Sequence, residues 1–106
     1  MVEYINYRGY IKGRVQKPEL LAMLAEEAAE LGHASLKLRR AICGENPTPV
    51  SEEEAQRKLL EEVADVLLIL EDFLDIDPLD IEIDNIRAKK LERWYERLKS
   101  KEENKC

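Results

Sequence analysis

The chain has 106 residues with 23 acidic and 17 basic side chains, a formal net charge of −6, and only four glycines and four prolines. This length suits one domain, and a composition rich in charged residues and poor in turn formers favours helices. The acidic balance argues against binding a nucleic-acid polymer, which needs an excess of Lys and Arg to displace counterions from phosphates.

Residues 1–16 are aromatic and basic, and Gly9 and Gly13 are expected to break any long helix there, so we predict a short irregular arm. Three of its tyrosines recur at every third residue: Tyr4, Tyr7 and Tyr10. Such rings either pack on protein surfaces or stack on a nucleotide base. The arm lacks the apolar core of a signal peptide, and no stretch of the chain reaches the roughly 18 apolar residues of a membrane span. We therefore expect a cytoplasmic protein that does not bind membranes.

The first long helix is predicted from Pro18 to about Ile42, because proline suits a first helical position, where its missing N–H would be unpaired anyway. Its apolar residues advance by threes and fours, with a double step across position 27: Leu20, Leu24, Leu31, Ala34, Leu38 and Ala41. This is the spacing of a helix face that packs on a core, and Glu27 falls inside it. The sequence GENPTPV at 44–50 then predicts a turn.

The second helix is predicted from about residue 52 to residue 74, after a capping-box pair formed by Ser51 and Glu54. One apolar stripe contains Leu59, Val66, Ile69 and Phe73, and an adjacent one contains Leu60, Val63, Leu67, Leu70 and Leu74. A helix that is apolar nearly all round must be covered on most sides. Because three helices of one chain give too little cover, we predict a homodimer or homotetramer that buries the second stripe.

Asp77 and Pro78 are predicted to cap and open the third helix, and the tail at 99–106 is expected to fray. Cys43 and Cys106 lack metal-ligand spacing, and no disulfide is inferred from them. Taken together, the pattern predicts one all-α domain over residues 1–106. This domain is a helical bundle of about three long helices, with a short N-terminal arm, completed by oligomerisation.

Two pairs of acids stand three residues apart, Glu27 with Glu30 and Glu62 with Asp65, so each pair shares one helix face. Glu27 and Glu62 also interrupt apolar stripes, which solvated charges do not do, although chance pairs are expected among 23 acidic residues. Burying such carboxylates without partners costs several kcal/mol per charge, on the order of 3–5 when a partner is missing. A divalent cation removes that cost, and oxygen ligands favour Mg²⁺ or Mn²⁺ over Zn²⁺.

The stretches EEAAE at 26–30 and EEVAD at 61–65 resemble the E-E-x-x-E and E-x-x-D signature of the MazG-like all-alpha nucleoside triphosphate pyrophosphohydrolases. The resemblance covers roughly residues 18–98. It includes the apolar VLLILEDF after the second pair, the IDP sequence before the third helix, and Asn85 and Lys89 upstream of Arg93. The sequence departs from the family in the long interval between the two acidic pairs, residues 31–61, which includes GENPTPV.

The resemblance implies an enzyme that hydrolyses a nucleoside triphosphate to a monophosphate and pyrophosphate. The residues that would hold one or two Mg²⁺ ions, or Mn²⁺ as a substitute, are Glu27, Glu30, Glu62 and Asp65. Either Glu27 or the adjacent Glu26 would be the catalytic base, and the sequence does not choose between them. The residues expected to contact phosphate are Asn85, Lys89, Arg93 and Lys37, for each of which a plain surface role is the alternative.

Two other classes of protein stay open at this point. Glu30 and His33 form an E-x-x-H step of the kind found in di-iron carboxylate bundles, although that class uses the step twice and His33 is the only histidine. The other class is a non-catalytic helical adaptor that binds a partner through its apolar second helix. The residues do not specify the base or sugar of a nucleotide, the number of metal ions, or the role of the loop at 43–50.

Overall fold

The computed structural model of the chain describes residues 2–44 and 50–103. They form α1 (Val2–Lys12), α2 (Lys17–Cys43), α3 (Glu52–Leu67), a π-helical segment (Leu68–Phe73) and α4 (Ile81–Glu103). The predicted all-α class is therefore confirmed. The chain divides into two compact units, Met1–Asp75 and Ile76–Cys106, which are described separately.

Helix α2 begins and ends within one residue of the predicted positions. Pro18 lies in its first turn, and Cys43 is its last residue. The helix ends because Gly44 takes the left-handed conformation, with φ of 68°, and donates its backbone N–H to the carbonyl of Arg40. Glycine adopts this conformation without the steric cost of a Cβ atom. The rest of the predicted turn, residues 45–49, lies outside the described residues.

Helices α2 and α3 pack against each other and form the core of the first unit. They run antiparallel, because the start of α2 at Leu20 lies beside Phe73 while Glu27, further along α2, lies beside Glu62. The buried apolar side chains among the described residues are Leu20, Ala34, Ala55 and Ile69. Those from α2 belong to the predicted apolar stripe, and its other members are half-buried. The predicted inward face of α2 is thus confirmed.

The capping box predicted at the start of α3 is confirmed in its serine half. Ser51 Oγ accepts a hydrogen bond from the backbone N–H of Glu54 at 3.1 Å. The helix then continues as predicted, but its last part is a π-helix, and the N–H of Leu74 donates to the carbonyl of Ile69 at 2.9 Å. Ile69, a member of the first predicted apolar stripe, is buried, while Leu68, which belongs to neither stripe, is 44% exposed.

The irregular arm predicted for residues 1–16 is wrong, because Val2–Lys12 is the helix α1. This helix packs on the π-helical segment. Arg8 Nε donates to the carbonyl of Asp72 at 3.3 Å, and Lys12 Nζ lies 2.7 Å from Oδ1 of Asp75. These contacts join residues more than 60 positions apart, so local sequence patterns do not show them.

The two glycines that motivated the arm have different outcomes. Gly9 lies inside α1, where it costs about 1 kcal/mol relative to alanine and is tolerated. Gly13 follows the last residue of the helix and marks its end.

The rings of Tyr7 and Tyr10 are exposed, and the guanidinium of Arg14 lies 3.4 Å from the centre of the Tyr10 ring. Those two tyrosines therefore do not pack on the core of this chain, and the side chain of Tyr4 lies outside the described residues.

The second unit is built on α4, which begins three residues later than predicted. Asp77 Oδ1 accepts from the N–H of Leu79 at 2.9 Å and so caps a turn, whereas Asp80 Oδ1 accepts from the N–H of Glu82 at 2.8 Å and caps the helix. The helix continues to Glu103, and fraying of the tail at 99–106 stays a prediction. Residues 104–106 lie outside the described residues.

The helices formed by the described residues do not include one long and apolar enough to cross a membrane.

Candidate metal centre

Three of the four predicted acidic ligands come together at the interface between α2 and α3. One carboxylate oxygen each of Glu27, Glu62 and Asp65 lies within 4.8 Å of the other two. The spacing of three residues on α3 puts Glu62 and Asp65 on one face, and the packing of α2 brings Glu27 against that face. Within the described residues, the cluster does not include Glu30, which is exposed.

Glu62 is the most constrained of the three acids. Its side chain is buried, with the residue only 4% exposed, at a stripe position where an apolar residue is expected. Its Oε1 lies 3.0 Å from Nζ of Lys58, but its Oε2 is buried without a hydrogen-bond partner among the described residues. A buried carboxylate oxygen in this state carries a desolvation cost that no described contact offsets. This orphaned oxygen fits a site for a cation.

Lys58 is the residue of this site that sequence reasoning missed. It stands one helical turn before Glu62, and its Nζ also lies 3.6 Å from Oε2 of Glu61. The pKa of the Lys58 ammonium is raised, first by the hydrogen bond to Glu62 and then by the negative charge of that carboxylate. The signal was present in the sequence, since Lys and Glu four residues apart on a helix are neighbours.

Repulsion between the acids is visible at Glu27. Its pKa is raised above the ordinary value, first by desolvation and then by the negative charges of Asp65 and Glu62, with smaller contributions from Glu30 and Glu26. Both effects disfavour the ionised carboxylate. A bound divalent cation would reverse them, because it attracts the ionised form. The cluster offers only oxygen ligands, the type that Mg²⁺ and Mn²⁺ prefer.

The two other residues singled out on α2 near the cluster are exposed. Glu26, the alternative catalytic base, lies beside Glu27 in the chain and contributes to its electrostatic environment. His33 is exposed and is not part of the carboxylate group found within residues 2–44 and 50–103. The E-x-x-H step of Glu30 and His33 therefore does not coincide with the cluster.

The residues predicted to contact phosphate lie on two helices. Lys37 is half-buried on α2. Asn85, Lys89 and Arg93 are exposed on α4 in the second unit, and their spacing of four residues places them along one side of that helix. Contact of any of these four residues with phosphate stays a prediction.

The π-helical segment follows the cluster directly. The backbone N–H of Leu68 donates to the carbonyls of Ala64 and Asp65 at the end of α3, and the π-type bond from the N–H of Leu74 to the carbonyl of Ile69 follows within the segment. Single π turns within helices occur often at functional sites. Neither the apolar periodicity nor the spacing of the acids indicated this feature.

No family model, no curated protein and no solved structure matches the chain. The described residues form an all-helical protein with a partly buried carboxylate cluster between two antiparallel helices. The resemblance to the MazG-like enzymes stays an expectation from sequence motifs.

Proposed function

We propose that this chain is a Mg²⁺-dependent nucleoside triphosphate pyrophosphohydrolase. The observation that carries the proposal is the carboxylate cluster, in which Glu62 keeps a buried, unpartnered Oε2 beside Glu27 and Asp65. A buried acid at this position weakens the interface between α2 and α3 unless a cation binds it, and such local costs are expected at functional sites. The motifs EEAAE and EEVAD, which supply these acids, are the part of the sequence that resembles the MazG-like enzymes.

The residues that would hold the ion are Glu27, Glu62 and Asp65, joined by Glu30 from the next turn of α2. Mn²⁺ would substitute, because it accepts the same oxygen ligands. When bound, the ion supplies positive charge that neutralises phosphate oxygens and lowers the pKa of a bound water.

In the proposed reaction, water attacks the α-phosphorus of a nucleoside triphosphate, and the bond to the bridging oxygen of the β-phosphate breaks. The products are a nucleoside monophosphate and pyrophosphate. A carboxylate that is not fully used in holding the ion, either Glu27 or Glu26, would accept the proton of the water. Lys37, Lys89 and Arg93 would offset the negative charge of the substrate phosphates, and the amide of Asn85 would donate a hydrogen bond to a phosphate oxygen.

We also propose that the enzyme acts as a homodimer or homotetramer in the cytoplasm. Leu60 is 58% exposed on α3, and Leu67 and Leu68 near its end are 37% and 44% exposed. Leu60 and Leu67 belong to the second apolar stripe of the sequence and share a helix face, being seven residues apart. A second copy of the chain would cover these side chains.

The direct test is product analysis with a panel of nucleoside triphosphates, in Mg²⁺ and in excess chelator. We expect Mg²⁺-dependent formation of monophosphate and pyrophosphate in equal amounts. Accumulation of a nucleoside diphosphate, or the absence of turnover over a panel that includes canonical, deoxy and modified bases, would contradict the proposal. A non-catalytic adaptor would in addition show no change in thermal stability on adding Mg²⁺ or Mn²⁺.

A further inference from the structure

Lys58 places a positive charge where the proposed cation would bind. Its Nζ lies 3.0 Å from Oε1 of Glu62, while the other oxygen of the same carboxylate has no described partner. The lysine side chain is 55% exposed, whereas that of Glu62 is 6% exposed, so the ammonium reaches the buried carboxylate from the surface. A lysine stem commonly lies along a helix in this way with its charged end free to move.

We infer that Lys58 is an internal counter-ion that stabilises Glu62 in the metal-free protein and lowers the affinity of the cluster for a divalent cation. This inference rests on the proposed function, since it concerns how the same site is regulated. Lys58 acts through Glu62 and is a positioning residue, which sets the ion concentration at which the site fills.

The charges of the cluster support this role. Three carboxylates and one ammonium leave a net charge of two negative units, and the ammonium repels any cation that approaches Glu62. That repulsion is present whether Lys58 stays on Oε1 or moves away when the ion binds. Removing the ammonium therefore makes the cluster more attractive to a cation in either case.

Glu61 gives Lys58 an alternative partner. Its Oε2 lies 3.6 Å from the same Nζ, and its side chain is 63% exposed. When Glu62 turns to a cation, the ammonium retains a neighbouring carboxylate and access to water, so its displacement carries a small cost. The arrangement thus allows the Lys58 ammonium to be exchanged reversibly for a divalent ion at Glu62.

The test is Lys58→Met, which keeps the unbranched shape and helix propensity of the side chain, one atom shorter, but removes its charge. The matched control is Lys99→Met, because Lys99 is 52% exposed and pairs with Glu102 at three residues' distance on α4. Melting in chelator and calorimetric titration with Mn²⁺ are the two measurements. We expect Lys58→Met to melt at a lower temperature in chelator and to bind Mn²⁺ on the order of tenfold more tightly. Lys99→Met should match the parent in both.

The Mn²⁺ affinities of the parent and of Lys58→Met test the inference about Lys58 and the proposed function separately. Equal or weaker Mn²⁺ binding by Lys58→Met, with normal binding by the parent, overturns the inference and leaves the proposed function intact. Absence of Mn²⁺ binding by the parent overturns both. Should Lys58→Met be unfolded in chelator, Lys58→Gln keeps an N–H donor for Glu62 without the charge. The Mn²⁺ affinity of Lys58→Gln is then compared with that of the parent. The recovery of helix by Lys58→Met during a Mn²⁺ titration gives a second comparison.

Discussion

Carboxylate oxygens of Glu27 and Glu62 lie within 4.8 Å of each other across the interface between α2 and α3. Both residues occupy positions of an apolar stripe, where a leucine or alanine would stabilise the same packing. The metal-free protein therefore loses stability at the point where the proposed ion gains its ligands.

Glu62→Gln should keep the helices and lose activity. The amide has the shape of the carboxylate but lacks its charge, so the ion loses its most buried ligand. We expect pyrophosphate release to fall by about 100-fold or more, since even outer residues of metal sites contribute about 10–100-fold. The stabilisation by Mn²⁺ in a thermal melt should also disappear. Glu53→Gln is the control, since Glu53 is exposed in the first turn of the same helix, and full activity of Glu62→Gln would exclude the assigned site.

Glu27→Gln should stabilise the protein in chelator at neutral pH. Because the pKa of Glu27 is raised above its ordinary value of 4.5 by desolvation and neighbouring acids, the folded protein binds a proton there more tightly than the unfolded chain. The ionised group therefore destabilises the fold fully above the raised pKa, and this penalty is lost as the pH falls towards 4.5.

The measurement is the melting temperature of parent and Glu27→Gln in chelator between pH 7 and pH 4.5. The variant should melt higher at pH 7, and the two curves should converge as the pH falls through the raised pKa. Glu71→Gln, a change at an exposed acid of the π-helical segment, should show no such convergence. A parent that is more stable than Glu27→Gln at pH 7 would mean that the ionised Glu27 does not destabilise the metal-free fold.

The parts of the fold that the sequence predicted are those set by local signals. Ser51 and Glu54 marked the start of α3, and the apolar steps from Leu20 to Ala41 identified the inward face of α2. Glu27 and Glu62 are acids at apolar positions of these stripes, so the sequence alone predicted two residues of the candidate site.

The parts that were missed depend on contacts distant in the sequence or on competition between similar signals. Helix α1 is held by Arg8 and Lys12 through partners more than 60 residues away. Asp77 and Asp80 both suit a helix cap, and in the structure Asp77 caps a turn while Asp80 caps α4. Lys58 differs from these, because its spacing of four residues from Glu62 is a local signal, although the same spacing is common among exposed charges on helices.

Glu30→Gln should weaken Mn²⁺ binding less than Asp65→Asn does. Asp65 already lies in the carboxylate group, whereas Glu30 is exposed outside it and would have to reorient to reach the ion, with a loss of side-chain entropy. Calorimetric titration of both variants provides the comparison. A larger loss for Glu30→Gln would place the ion towards the C-terminal side of Glu27 on α2 instead of over Glu62.

Leu60→Lys should dissociate the proposed oligomer without unfolding the chain. Leu60 is 58% exposed, so a charge there is hydrated in a monomer but would be buried if a second copy covers α3. Losing the burial of one leucine at each contact costs about 1.5–3 kcal/mol, before the desolvation of the new charge is added. Light scattering at micromolar concentration should show a multimer for the parent and a smaller species for the variant. Leu79→Lys, at an 85% exposed leucine of the turn before α4, is the control, and a parent that is monomeric would refute the oligomer.

Hydrolysis in ¹⁸O-labelled water should place the label in the nucleoside monophosphate. In-line attack requires the water to stand opposite the leaving oxygen, so a rigid carboxylate cluster determines which phosphorus is attacked. If that phosphorus is α, the label enters the monophosphate and pyrophosphate leaves unlabelled.

Lys89→Ala should raise KM or lower kcat by roughly tenfold, because its proposed role is to offset phosphate charge. The label should nevertheless stay in the monophosphate of that variant, since Lys89 does not position the water. Label found in pyrophosphate or in inorganic phosphate with the parent would mean attack at another phosphorus, and the pyrophosphohydrolase proposal would then be wrong even if the metal site is correct.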